Sequence, residues 1–261
     1  MTDSPRHPDH SDIISDQLAL SAVRNITKGM TVGLGTGRAA ARGIRALAAI
    51  NAAMPLDLVC VATSVASEQL ANSLGLTTRP PGEVSTLDYL FDGADEVDGR
   101  MCMLKGAGGA MTRERIVASM VRPEGPDLAR RVYMIDASKR VASLGSRMPL
   151  PIEVLQSALA GVQAGLMEIG MQSSVRTKDG NAVITDNGHL ILDARLDVAA
   201  LQRDAGLSLS ALASELDSTP GVVDHGLFLT EADMIIVEPP PGSPGMNELV
   251  FLRRSLLTPE V

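Results

Sequence analysis

Residues 87–99 read LDYLFDGADEVDG. The apolar run of Leu87, Tyr89, Leu90 and Phe91 has the length and composition of a buried strand. It passes without a spacer into four acids, Asp92, Asp95, Glu96 and Asp98. A strand whose end turns polar or glycine-rich recurs along the chain: MTVGLGTG at 30–37, LDLVCVATS at 56–64, MCMLKGAGG at 101–109 and VYMIDASKRV at 132–141. Between these runs lie helical segments, the alanine-rich stretch 39–50, SEQLANSLG at 67–75 and AMTRERIVASMV at 110–121. Strands alternating with helices predict an α/β fold, a Rossmann-like and mostly parallel sheet flanked by helices. Ligands of such sheets bind beyond the carboxyl ends of the strands, where these polar ends gather.

Ahead of the first strand, Ser11 or Asp12 can cap a helix carrying Ile13, Ile14, Leu18, Val23 and Ile26, with Gly29 closing it. From Pro149 the rhythm changes. PLPIEV carries two prolines, a helix is expected over 155–169, and SVRTKDGNAVITDNGHLILD offers two runs with turn signals at Asp179-Gly180 and Asn187-Gly188. A second helix over 209–216 leads to GVVDHGLFL and ADMIIVEPP, which resume strand character. The expected organisation is a disordered tail at 1–11, a catalytic α/β domain built from 12–148 and 223–261, and a small inserted α+β (ferredoxin-like) domain at 149–222.

Composition excludes several classes of function. A net charge of −8 on a chain of 261 residues argues against a nucleic-acid partner, which would need a basic face to displace counterions from phosphates. The chain holds no Trp and five aromatic side chains in all, so it offers no base-stacking platform. We therefore expect no nucleic-acid partner. The N-terminal MTDSPRHPDHSD has no apolar core segment, so neither signal peptide nor membrane anchor is expected and a cytoplasmic address follows. Cys60 and Cys102 lie in or beside apolar runs and read as reduced, buried and inert. His7 and His10 fall in the tail and His189 and His225 in the small domain or its exit, which gives no metal site.

Three turns carry candidate chemistry. GLGTGRAA (33–40) misses the dinucleotide fingerprint, because the third glycine comes one position early at Gly37 and Arg38 takes its place. It still offers backbone N–H groups and a helix dipole to an anion, although a tight strand-to-helix turn explains it equally well. The acids of 92–98 fail the calcium-loop register at Ala94. Taken alone they read as a solvated loop. In LKGAGGAMTRERIV (104–117), Lys105 ends a strand, glycines at 106, 108 and 109 let a ligand approach backbone, and Glu114 follows early in a helix. Glu114 shares a face with Val117, Ala118 and Val121, and partial desolvation there would raise its pKa.

GLGTG, TSVASEQLA, DGADEVD, LKGAGGAMTRERIV, DASKRV, PLPIEV, TDNG and GVVDHGLF resemble, in this order and spacing, the hallmark segments of ribose-5-phosphate isomerase type A, over about residues 12–240. The resemblance implies a cofactor-free aldose–ketose isomerase of ribose 5-phosphate and ribulose 5-phosphate, working as a homodimer or homotetramer. It implies Glu114 as the base, Asp92 and Asp95 as the acidic pair that handles hydroxyl protons and ring opening, and Lys105 beside the developing oxyanion. The substrate pocket then takes in Thr36, Gly37, Arg38, Ala39, Gly93, Ala94, Gly106, Ala107, Gly108 and Lys139. In this reading one aspartate near Lys105 stays ionised while a neighbour holds a proton, and Glu96 and Asp98 are a solvated remainder. The family usually reads GTGST where this chain has GTGRA, and its first helix often carries a lysine that is missing here. Arg38 can compensate with a bidentate grip on phosphate. The change also leaves open a related sugar as substrate, or a non-catalytic sugar-phosphate sensor.

Overall fold

The computed structural model describes residues 16–122, 129–240, 242 and 248–254. The expected tail, the capping residues Ser11 and Asp12, and His7 and His10 lie outside the described residues.

The described chain opens with helix α1 (Gln17–Val23), capped by Asp16, whose side chain accepts the Ala19 N–H. Then follow β1 (Thr31–Leu34), α2 (Gly37–Ala53), β2 (Val59–Ala62), α3 (Val65–Ser73) and β3 (Tyr89–Gly93). Next come two short strands, β4 (Glu96–Val97) and β5 (Met103–Leu104), then α4 (Met111–Ser119) and β6 (Arg131–Asp136). After these come β7 (Leu150–Val154), α5 (Leu159–Glu168), β8 (Ser173–Val175), β9 (Thr177–Lys178), β10 (Asn181–Ala182), β11 (Leu190–Ala194), α6 (Leu209–Ser218) and β12 (Val222–His225), in the stretch expected to form the small domain. The chain finishes with β13 (Leu227–Phe228), β14 (Met234–Glu238) and β15 (Val250–Arg253).

The main sheet runs β15-β14-β6-β3-β1-β2, parallel throughout except for the antiparallel edge strand β15. On one face α1 and α2 bury Leu18, Val23, Ile44 and Leu47 against Val32, Phe91 and Met134. On the other, Val117, Ala118 and Val121 of α4 and its exit pack on Val61, Leu87 and Leu90. These rows are the apolar positions the sequence pattern assigns to the sheet and to the Glu114 helix, so the α/β expectation holds. The second sheet runs β12-β7-β11-β8, all antiparallel, and shares a core with α5 and α6 through Ile152, Val162, Leu192 and Leu212. Its strand–helix–strand–strand–helix–strand connectivity is ferredoxin-like.

Four local readings change. The first described helix ends at Val23, with Arg24 as C-cap, and Gly29 (φ +82°) serves the following turn, donating its N–H to Leu56 O. β5 does not join the parallel sheet but pairs antiparallel with β4 and β13, since two residues are too few to cross it and Lys105 N–H is taken by Gly226 O. The boundary at 222/223 falls inside β12, which pairs with β7, so the small sheet runs to His225. Glu96 and Asp98 are not solvated: Glu96 is fully buried and accepts the N–H groups of Gly145, Arg147 and Met148, while Asp98 accepts those of Arg100 and Cys102. Buried carboxylates of this kind hold loops through backbone N–H donors, which spacing alone does not reveal.

Candidate active site

Moving out from β1, the chain turns left to β3 and right to β2, so the carboxyl ends of β1 and β3 flank the point where strand order reverses. Here Asp92 Oδ1 accepts the N–H of Thr36 at 2.9 Å and of Gly93 at 2.7 Å, tying the two strand ends together. Gly35 makes this approach possible, because a Cβ there would stand 2.1 Å from Asp92 Oδ1. The turn then enters α2 at Gly37 with φ +93°, a left-handed value that favours glycine. Thr36, the N-cap, makes no side-chain cap; its hydroxyl lies 2.6 Å from that of Thr63. With no acid in its first turn, α2 presents N–H groups and positive dipole to whatever lies ahead.

What lies ahead is a cleft of about 400 Å³. Of the residues singled out in sequence, Thr36, Gly37, Arg38, Ala39, Gly93, Ala94, Asp95, Lys105, Gly106, Gly108, Glu114 and Lys139 line it. Asp92 stands behind the wall, 1% exposed, and Ala107 is exposed outside the lining but donates its N–H to Asp95 Oδ2 at 2.8 Å. Arg42, Asp136 and Glu238 also line the cleft and were missed. Arg42 sits one helical turn beyond Arg38, and Asp136 and Glu238 are paired residues at the ends of β6 and β14. Helical spacing and polar strand ends carried that signal. Arg42 binds Asp16 and Glu238 in two-pronged contacts of 2.7–2.8 Å, which anchor α1 and β14 to α2. The guanidinium of Arg38 and the ammonium of Lys139 line the cleft and have no hydrogen bond or ion pair among the described residues.

At the other end Lys105 is buried. Its Nζ donates to Asp92 Oδ2 at 2.9 Å and to Gly93 O at 2.5 Å, and lies 3.4 Å from Glu114 Oε2. The rings of Tyr133 and Phe228, two of the five aromatic residues, stand 5.3 and 5.6 Å from the same nitrogen. Burial alone would discharge the ammonium, but Asp92 and Glu114 outweigh it and raise its pKa well above the usual lysine value. Glu114 behaves oppositely. Burial, with Asp92 and Asp95 adding to it, outweighs the pull of Lys105 and leaves its carboxyl raised to about 8. Oε2 of Glu114 has no aligned hydrogen-bond partner among the described residues. Of the acids in this cluster, Glu114 is thus the one whose burial favours the protonated form. Asp92, with three donors, is locked as the lysine's counter-ion, and Asp95 keeps a carboxylate oxygen toward the cleft.

Cys60 and Cys102 are buried thiols far from this chemistry, and burial pushes Cys60 up to about 12. Among the described residues no helix is long and apolar enough to cross a membrane.

The family described as ribose 5-phosphate isomerase A (phosphoriboisomerase A) matches residues 59–242. A protein named ribose-5-phosphate isomerase A from Sphingopyxis alaskensis is 39% identical over 219 residues, 84% of this chain and 89% of its own length. One from Thermomicrobium roseum is 39% identical over 224 residues, 85% and 88% of the two chains. Among solved structures, ribose 5-phosphate isomerase A of Methanocaldococcus jannaschii superposes with a TM-score of 0.77 at 32% identity, covering 90% of this chain and 96% of the other. A D-ribose-5-phosphate isomerase in complex with phospho-erythronic acid gives the same TM-score at 29% identity, covering 91% and 96%.

Proposed function

The chain belongs to the ribose 5-phosphate isomerase A family, and from that premise we propose that its cleft interconverts D-ribose 5-phosphate and D-ribulose 5-phosphate. The observation that carries the reading is the placement of the buried Glu114 carboxyl 3.4 Å from the buried ammonium of Lys105 at the end of the cleft. Moving a proton between C2 and C1 of an open-chain sugar needs a strong base and a cation for the oxygen that gains charge. Ionised Glu114 takes the C2 proton, the electron pair passes through C2–C1 to the aldehyde oxygen, and an enediolate forms. Lys105 stabilises that oxygen. Glu114 then returns the proton to C1, while Asp95 carries the hydroxyl proton from O2 to O1, completing the ketose.

Asp92 touches no substrate in this scheme; it holds Lys105 and the Thr36 turn in place. The phosphate lies at the far end, against the α2 N-terminus with Thr36, Gly37 and Ala39, gripped by Lys139 and by Arg38, whose guanidinium compensates for the hydroxyls of the family's usual GTGST. Gly93, Ala94, Gly106 and Gly108 form the wall along which the sugar lies, with Ala107 holding Asp95. The scheme draws on no metal or organic cofactor. A cytoplasmic enzyme working as a homodimer or homotetramer belongs to the same proposal and rests on the resemblance.

The test is a substrate panel on purified protein. We expect interconversion of the two pentose phosphates, unaffected by chelator, with kcat/KM for ribose 5-phosphate at least about a hundredfold above that for ribose, since charge-assisted bonds to the phosphate are lost with it. Equal efficiency on the two sugars would refute the phosphate end of the proposal.

A further inference from the structure

Glu114 has an unusual problem for a base. Its Oε2 accepts no aligned hydrogen bond among the described residues and is held only by charge, 3.4 Å from Lys105, so its placement against that lysine depends also on the helix that carries it. PLPIEV, TDNG and GVVDHGLF, three segments that the chemistry above leaves unused, converge on that helix.

Glu153, in the middle of β7, is fully buried and carries four partners. Its Oε1 accepts from Thr185 Oγ1 at 2.7 Å and Asn187 Nδ2 at 3.2 Å, and lies 2.9 Å from His189 Nδ1. Its Oε2 accepts the hydroxyl of Thr112, in the first turn of α4. Asp224 on β12 is the register partner of Glu153. It receives Arg115 Nε at 2.7 Å, and Arg115 also donates to Glu231 and to the carbonyls of His225 and Leu227. Thr112 and Arg115, three apart, share one face of α4, and Glu114 is turned off that face toward the cleft. The intervening Arg113 is held as well, by Asn187 Oδ1 and Asp186 O, both at 2.9 Å. Each residue from 112 to 115 other than Glu114 is thus bonded to the small domain or the strand leaving it.

We propose that Glu153 and Asp224, a cross-strand carboxylate pair of the small domain, are positioning residues for the isomerisation: they grip α4 on either side of Glu114 and so set its carboxylate against Lys105. The inference rests on Glu114 being the base. A buried carboxylate with four partners is costly to place, and one whose free oxygen is spent on a helix of the other domain links the small domain to the proton transfer.

The experiment cuts the link at Thr112, which faces away from the cleft. Thr112→Val removes the hydroxyl at nearly constant volume, Thr112→Ser keeps it, and Glu153→Gln alters the other end. We expect Thr112→Val and Glu153→Gln to lower kcat by about ten- to a hundredfold with KM changed less than about twofold, the size of effect that misplacing a reacting group produces. Thr112→Ser should recover kcat to within about threefold of wild type. In Thr112→Val the acid limb of kcat/KM should also move to lower pH, as water reaches a carboxyl now surrounded by Lys105, Asp92 and Asp95 alone. A role in stability only would lower Tm and leave both readouts unmoved. Wild-type kcat in Thr112→Val, or a loss that Thr112→Ser fails to recover, would overturn the inference; if Glu153→Gln does not fold, the Thr112 pair decides alone. Glu114→Gln is the control: an inactive Glu114→Gln beside a fully active Thr112→Val sinks the positioning role and spares the base, whereas an active Glu114→Gln sinks the base.

Discussion

At the residue scale, the proposed scheme makes Glu114 the group that sets the pH dependence of the rate. As the base it would have to be ionised to take a proton from carbon, and its carboxyl is raised from an ordinary 4.5 to about 8 by burial and by Asp92 and Asp95. The rate at limiting substrate should therefore climb with pH through about 8. This lies above the second ionisation of the substrate's phosphate, near pH 6, so the two can be told apart. A kcat/KM profile already flat above pH 6 would contradict the assigned pKa. Stability should move the other way. Between about 4.5 and 8 the folded chain keeps a proton that the unfolded chain has released, so this group favours the fold at low pH and its contribution is lost as pH rises through that window. Much of this was legible in the sequence, where Glu114 and its apolar neighbours lie at helical spacing. The division of labour between Asp92 and Asp95 was not. Two acids three positions apart look alike in a string, and only the bonds of Asp92 to Thr36, Gly93 and Lys105 mark it as a counter-ion.

At the scale of elements, the N-terminus of α2 is the feature that departs most from the family pattern. Its N-cap makes no side-chain cap, its first turn holds no acid, and Arg38 stands in that turn with no hydrogen bond or ion pair among the described residues. Arg42 is no substitute, since Asp16 and Glu238 already neutralise it. Arg38→Ala should raise KM for ribose 5-phosphate roughly tenfold or more and change kcat less than about threefold, because the phosphate is held alike in ground and transition states. Steady-state kinetics on the two proteins checks it. An unchanged KM would place the phosphate elsewhere. Long elements with strong periodicity were readable in advance: α2, α4, β1, β3, β6 and β14 fall where pattern puts them. The failures are short. β4, β5 and β13 have two residues each, below the length at which alternation carries information, and the pairing of β13 with β5 joins residues more than a hundred positions apart, such as Leu227 with Leu104. Glu96 and Asp98 misled for a related reason: the backbone N–H groups that receive Glu96 come from 145–148, a loop whose path no local pattern predicts.

At the scale of the molecule, a parallel sheet supplies the cleft at its switch point, and an antiparallel sheet bonds to the helix that carries Glu114. The order of motifs made the family legible from sequence, because each hallmark segment is a strand end or turn that meets the others only in the fold. Their meeting at one cleft is what the string of letters could not display, Asp92 and Ala107 aside. The central claim is that Glu114 moves the carbon-bound proton. Isomerisation followed in heavy water by NMR, for wild type and Glu114→Gln at saturating ribose 5-phosphate, tests it most directly. The account predicts deuterium at C1 of the ribulose 5-phosphate formed by wild type and a rate about a thousandfold lower in the variant, within the range that a general base contributes. Deuterium incorporation by Glu114→Gln at the wild-type rate would contradict it.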